Sequence, residues 1–305
     1  MTTALLPDEL DAVLDKVASL RNSAREITPL DGGLTNLNFR VRTVDLDVVV
    51  RISRAEPLLA IDREAEHLNS LAAAASGASP QVVEFLPEDH VLVVDYINGA
   101  TLTPADVRDP ANLPRIAAVC RLLHSGPRFV SDFDMFEVQG AYLATVTERG
   151  YRLPQRYLDF LPQVEQIQTA LSVTDLATVP CNNDLLAANF IDDGDRLWII
   201  DFEYAGNNDP CFELGNIWSE SNLTVTQLDE LICFYFGRER PDMVARARLL
   251  GLMSKFGWTL WASIQDANST LDFDFWEWGM EKYDRAVDEF DNPEFDTWLS
   301  GAAHG

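Results

Sequence analysis

Residues 180–216 read PCNNDLLAANFIDDGDRLWIIDFEYAGNNDPCFELGN, and the rest of the chain is arranged around them. Phe190–Ile191 and Leu197–Ile200 are short, β-prone apolar runs on either side of Asp192-Asp193-Gly194-Asp195. They predict a hairpin whose turn chemistry comes from Asp and Gly. Folding that hairpin back brings Asp201 beside the loop that carries Asp184 and Asn189. Singly these are ordinary turn residues; with the hairpin between them they make a candidate site.

Asp184, four intervening residues and then Asn189 is the spacing of a phosphoryl-transfer loop. In such a loop the Asp accepts the proton of a substrate hydroxyl and the Asn holds Mg²⁺. Asp201 supplies a further metal carboxylate. Mg²⁺ takes hard oxygen ligands, usually one or two carboxylates plus nucleotide phosphates, and an Asn carbonyl next to an Asp carboxylate suits it.

Composition narrows the class. The chain has 305 residues, nearly half of them apolar, which is enough for two lobes and a substantial core. No apolar run is long enough to span a bilayer, and the N-terminus MTTALLPDELDAVLDKV is an acidic amphipathic helix, so a cytoplasmic, non-membrane protein is expected. Cys120, Cys181, Cys211 and Cys233 contain no CxxC pair and form no ligand-like cluster with the four histidines, so neither a disulfide framework nor zinc is indicated. A formal charge of −26 repels a phosphate backbone and excludes nucleic acid as a partner, while it accommodates a small cationic substrate. Oligomeric state is not legible.

Ahead of this stretch, Arg25–Leu30 and Asn38–Thr43 read as strands about Asp31-Gly32-Gly33. In this glycine-bearing hairpin Gly32 and Gly33 permit positive φ and close approach to phosphates, and Thr35 and Asn36 add side-chain donors. The next strand, Asp47–Ile52, carries one charge, Arg51, which needs a partner if buried. The following helix, 58–75, offers Glu64 and Glu66; Leu68 and Leu71 fall at i+4 and i+7 from Glu64, so Glu64 is the expected partner and Glu66 the alternative. Gln81–Phe85 and His90–Ile97 complete the strands, and Asn98-Gly99 breaks the pattern like a hinge. Helical periodicity then takes over, clearest at 112–123, 156–171, 212–220, 227–236, 238–265 and 275–290. His124, at the end of the first of these, reads as a satisfied core histidine.

GGLTN at 32–36, VVVRI with Arg51, DREAEHLNSL, VDYINGATL, CNNDLLAANF and IIDFEYAG leading into FELGN together resemble the choline and ethanolamine kinase family. The wider group includes the aminoglycoside phosphotransferases. The resemblance implies an α+β, two-lobed fold of the protein-kinase type: a small N-terminal lobe with an antiparallel sheet, residues 1–97, that binds ATP, and a larger, mainly helical lobe, residues 98–305. It places adenine against the backbone of Asp95, Tyr96 and Ile97, the base at Asp184, Mg²⁺ on Asn189 and Asp201, and Arg51 on the phosphates. The family pattern before the base is His-Asn-Asp; Asn182 departs from it, which keeps a catalytically silent binding protein among the readings.

The same resemblance places the acceptor among Trp258, Trp261, Phe273 and Trp278, with the acidic Glu220 near its ammonium. A quaternary ammonium is drawn to aromatic faces. Choline is the expected acceptor, with ethanolamine, thiamine, an aminoglycoside or an amino sugar as alternatives.

Overall fold

The computed structural model describes residues 7–30, 36–53, 59, 61–174 and 176–303. Gly32, Gly33 and Thr35 of the expected phosphate loop therefore lie outside the described residues. Strands β1 (Glu26–Leu30), β2 (Asn36–Arg42), β3 (Asp47–Ser53), β4 (Val82–Leu86) and β5 (Val91–Asp95) form one antiparallel sheet in the order β1-β2-β3-β5-β4.

The two-residue period of a strand sorts this sheet into two faces. Val48 and Val50 of β3, with Val91 and Val93 of β5, pack under Leu10 and Leu14 of α1 (Pro7–Leu14) and form one core with Val17 and Leu20. The alternate residues, Val49, Arg51, Leu92 and Val94, face a cavity on the other side. Arg51 therefore sits on the cavity face because it is out of phase with the core valines.

Helix α2 (Arg63–Ser76) crosses behind that cavity. Asp62 caps it by accepting the N–H groups of Glu64 and Ala65, and Gly77 ends it in the left-handed conformation. Its buried face is Glu66, Asn69, Ser70, Ala73 and Ala74, whereas Leu68 and Leu71 are 39% and 42% exposed. The face expected to point inward points out.

After β5 the chain turns at Gly99, where a Cβ would stand 2.5 Å from Asp192 O, so only glycine fits. The short β6 (Ala100–Thr101) pairs with β8 (Phe190–Asp192), which pairs with β9 (Leu197–Ile199): the expected hairpin forms. Strand β7 (Val179–Cys181) pairs with β10 (Gly206–Asn208). The remaining chain is helical: α3 (Pro104–Val107), α4 (Leu113–His124), α5 (Met135–Arg149), α6 (Leu161–Ser172), α7 (Pro210–Glu220), α8 (Val225–Phe236), α9 (Pro241–Asn268), α10 (Phe275–Phe290) and α11 (Phe295–Ala303).

Helix α9 is buried along most of its length and packs against α5, α7, α10 and α11. It meets α7 backbone to backbone: a Cβ on Gly215 would lie 2.1 Å from Ala247 O, and one on Gly251 would lie 2.6 Å from Gly215 O. Among the described residues no helix is long and apolar enough to cross a membrane.

Candidate active site

The loop between β7 and β8 is pinned from below by α7. Glu213 is fully buried and accepts the N–H groups of Asn182 and Asn183, each at 2.8 Å, and Asn216 Oδ1 accepts the N–H of Leu185 at 2.7 Å. Asn182 ties the loop to the segment that follows β9: its amide nitrogen donates to Asp201 O at 2.6 Å and Ile200 O at 3.2 Å, while its oxygen accepts the N–H of Asp184. An asparagine thus buttresses the loop at the point where the family pattern has histidine. Asn183 and Asp201 both hold positive φ, 69° and 65°, a costly conformation for a residue with a side chain. Asn183 Nδ2 answers with bonds to Tyr204 O and Gly206 O.

Asn189 donates its amide nitrogen to Asp184 O at 2.7 Å, which leaves its carbonyl oxygen as the end available to a cation. Asn189 and Asp201 line one cavity of about 280 Å³ together with Arg51, Asp95, Tyr96 and Ile97. An amide oxygen beside a carboxylate is the donor set Mg²⁺ accepts. In the wall opposite, the N–H of Asp95 donates to Gln81 O and that of Tyr96 to Asp47 O, so of the three hinge residues Ile97 is the one left to offer its N–H to a base. Arg40 pairs twice with Asp47 and lies 3.6 Å over the Tyr96 ring, which fixes the hinge.

Arg51 does not pair with Glu64, which is exposed. Its NH2 lies 2.7 Å from Asp201, 3.3 Å from Glu66 and 3.5 Å from Glu203, and Arg63 binds Glu66 and Glu203 from the far side. The helix register explains the correction: small and polar residues line the inward stripe, so the leucines marked the wrong face. Burial works against the Arg51 charge, but Asp201, Glu66 and Glu203 more than offset it and raise its pKa. Burial, with Asp201 adding to it, pushes the Glu203 carboxyl up. Asn36 also joins this group by donating to Glu203 at 3.1 Å.

Asp184 is half-buried. Burial raises its pKa well above the usual carboxylate range, Glu220, Asp201 and Glu203 add to that, and Lys282 opposes it. Asp184 thus feels two sets of charges, Asp201 with Glu203 and Glu220 with Lys282. Near the latter pair, Trp261 stands at 5.5 Å from Trp278 and 5.8 Å from Phe275 between ring centroids, and its indole N–H donates to Tyr204 OH at 2.8 Å. Trp258 meets the Tyr204 ring edge-on at 4.9 Å. Phe273 is 41% exposed and touches Phe275, so it sits one ring out from Trp261. Glu220 pairs with Lys282, whose ammonium lies 4.1 Å from the centre of the Trp278 ring.

Lys282, Tyr204 and Glu203 were not singled out from sequence, and Glu66 stood only as the alternative to Glu64. The signals were present: Lys282 follows Trp278 by one helical turn, and Glu66 heads the stripe that continues through Asn69, Ser70 and Ala73. His124 is the satisfied core residue expected, bonded to Tyr235 OH at 2.7 Å. Its Nε2 lies 3.6 Å from both Cys181 Sγ and Glu213, a closer meeting than the spacing had indicated, but the Glu213 oxygens already accept loop amides.

Fold and site together define a phosphotransferase of the protein-kinase-like class that uses a nucleotide and acts on an alcohol. Residues 27–232 match the family described as choline/ethanolamine kinase. The chain belongs to that family. Ethanolamine kinase 2 of Mus musculus is 28% identical over 268 residues, covering 78% of this chain and 68% of the relative. A choline/ethanolamine kinase family protein from Mesorhizobium loti superposes with a TM-score of 0.87 at 33% identity, covering 98% of this chain and 99% of that one. Choline kinase LicA from Streptococcus pneumoniae shares the fold, with a TM-score of 0.77 at 22% identity over 95% of this chain and 98% of that one.

Proposed function

We propose that the protein transfers the γ-phosphoryl group of ATP to the hydroxyl of choline, giving phosphocholine. Asp184 takes the hydroxyl proton, and Asn189 and Asp201 would hold Mg²⁺. That ion, when bound, neutralises charge on the phosphate oxygens. Residues 1–97 serve as the nucleotide lobe and 98–305 as the catalytic and acceptor lobe, joined at Asn98-Gly99. Adenine is received at Ile97, and Arg51 orients Asp201 toward the phosphates. Trp258, Trp261 and Trp278 face the ammonium, with Phe273 at the rim. Free cysteines at 120, 181, 211 and 233 favour a reducing, cytoplasmic setting.

One observation carries this reading: Asn189 is hydrogen-bonded to Asp184 O and lines one cavity with Asp201 and residues 95–97, while Glu220 and Lys282 are near enough to Asp184 to act on its carboxyl. A second reading, ethanolamine, is favoured by Glu220 Oε1, which is buried and has no hydrogen-bond partner. A primary ammonium brings N–H donors to such an oxygen, and a trimethylammonium brings none.

A screen of label transfer from radiolabelled ATP to choline, ethanolamine, thiamine and several aminoglycosides tests both. We expect the highest kcat/KM on choline. A preference for ethanolamine moves the assignment to the second reading, and no acceptor-dependent transfer overturns both.

A further inference from the structure

The acceptor end of the site already contains a cation of its own. Lys282 and Glu220 are nearly completely buried, with side chains 4% and 3% exposed. Trp278 and Lys282 are one turn apart on α10, so the helix itself lays the ammonium on the indole face. Glu220 is the last residue of α7, where the helix dipole also favours cations; Arg285 takes Ser219 O there at 2.7 Å. A salt bridge kept only for stability would have both carboxylate oxygens satisfied, because a buried orphan acceptor is costly. Here Oε2 of Glu220 binds Lys282 and Oε1 has no hydrogen-bond partner.

We propose that Lys282 is a resident cation of the acceptor site and sets its specificity. Its ammonium holds one oxygen of Glu220 and one face of Trp278, which leaves an incoming cation the other oxygen and the Trp261 side. The pair is neutral as a whole, so the acceptor is recognised through an unpaired oxygen and ring faces rather than through a full unpaired charge. Removing the resident cation would free both the Glu220 carboxylate and the Trp278 face for the ligand. This rests on the reading that the aromatic site receives the acceptor.

The test is Lys282→Met, which keeps apolar volume against Trp278 and removes the charge. The Michaelis constants for choline and ethanolamine should fall by about 2- to 30-fold, the range a cation–π contact is worth, while that for ATP stays put. Choline or ethanolamine alone, without ATP, should raise the melting temperature of the variant more than that of the wild type, because only in the variant does the ligand supply the missing counter-ion. Lys282→Arg should stay close to wild type. If Lys282→Met does not accumulate, preparing it in saturating choline should recover it. The neutral pair Glu220→Gln with Lys282→Met should fold without the enhanced response. Unchanged acceptor KM and unchanged ligand-induced shifts in Lys282→Met overturn the proposal, as does failure of choline to recover the variant or an enhanced response that persists in the neutral pair. Wild type that phosphorylates none of the acceptors sinks the functional reading instead, and the melting comparison between wild type and variant still decides the role of Lys282.

Discussion

On the side of Asp184 proposed for the nucleotide, the carboxylates of Glu66, Asp201 and Glu203 share the guanidinium groups of Arg51 and Arg63. On the side proposed for the acceptor the single carboxylate of Glu220 shares the single ammonium of Lys282, which is seated on Trp278. The first cluster has more acid than base, and the second is balanced. A surplus of buried negative charge is expensive unless something positive arrives, which suits a place where a metal ion is to be held. A balanced pair has nothing left to attract by charge alone, so it selects by ring faces and one unpaired oxygen. The two ends of one active site thus handle charge in different ways.

The most severe way to break the comparison is to alter the residue both clusters act on. Asp184→Asn should lower kcat by about 10²- to 10⁴-fold while nucleotide affinity, read by calorimetry with ADP, survives. Loss of nucleotide binding along with turnover would place Asp184 inside the first cluster rather than between the two.

Glu66→Ala removes a buried partner of both arginines and should cost about 3–5 kcal/mol of stability in urea unfolding, whereas the exposed Glu64→Ala should stay within about 0.5 kcal/mol. Combining Glu66→Ala with Arg51→Ala should cost clearly less than the sum of the single changes. Additive losses would show that the first cluster is not one unit.

Lys255 sharpens the contrast from another direction. It lies 4.0 Å from the centre of the Trp218 ring, as Lys282 lies on Trp278, but among the described residues no carboxylate is within ion-pair distance of it. Burial lowers its pKa from 10.5 to about 8. A lysine with a depressed folded pKa is charged in both states below about pH 8, where the buried charge is a cost. Between about 8 and 10.5 the folded protein has released a proton that the unfolded chain still binds, so wild-type stability rises across that window. Lys255→Met should therefore gain roughly 1–3 kcal/mol at pH 7, and its advantage should shrink toward pH 10. An advantage equal at both pH values would mean that the ring alone satisfies a buried ammonium.

The smallest effect is expected at the rings themselves. Trp261→Leu should cost about 0.5–2 kcal/mol in choline KM and nothing in ATP KM, and Trp261→Phe should keep much of the affinity. Equal binding by Leu and Phe would reduce the ring to core packing.

The sequence showed strands and hairpins well because their period of two is short and self-contained: Val48 and Val50 against Val49 and Arg51, or Phe190–Ile191 against the run from Leu197. It also brought Asp184, Asn189 and Asp201 together, since loop spacing survives folding unchanged. It misled at α2, where exposed Leu68 and Leu71 outweighed a stripe of Asn, Ser and Ala, and the partner of Arg51 came out one position pair away. That stripe is small and polar because it must pass close to the loops carrying Ser131, Asp201 and Ala205; Asn69 itself donates to Ala205 O and Ser131 Oγ. The Glu220–Lys282 pair was hidden for a different reason. Its members come from α7 and α10, far apart in the chain, and only their packing against α9 brings them together.

The backbone contact at Gly215 and Gly251 leaves α7 no room to slide or roll on α9. Its first turn holds the amides of the Asp184 loop through Glu213 and its last residue is Glu220, proposed to meet the acceptor, seven positions or about 10 Å along the axis. On the proposed reading, helix α7 is a fixed gauge between the point of proton removal and the point of charge recognition. Such a gauge would sort molecules by the span between hydroxyl and cation before any side chain is consulted, and exchanging rings or acids around the site would retune the head group without changing the span.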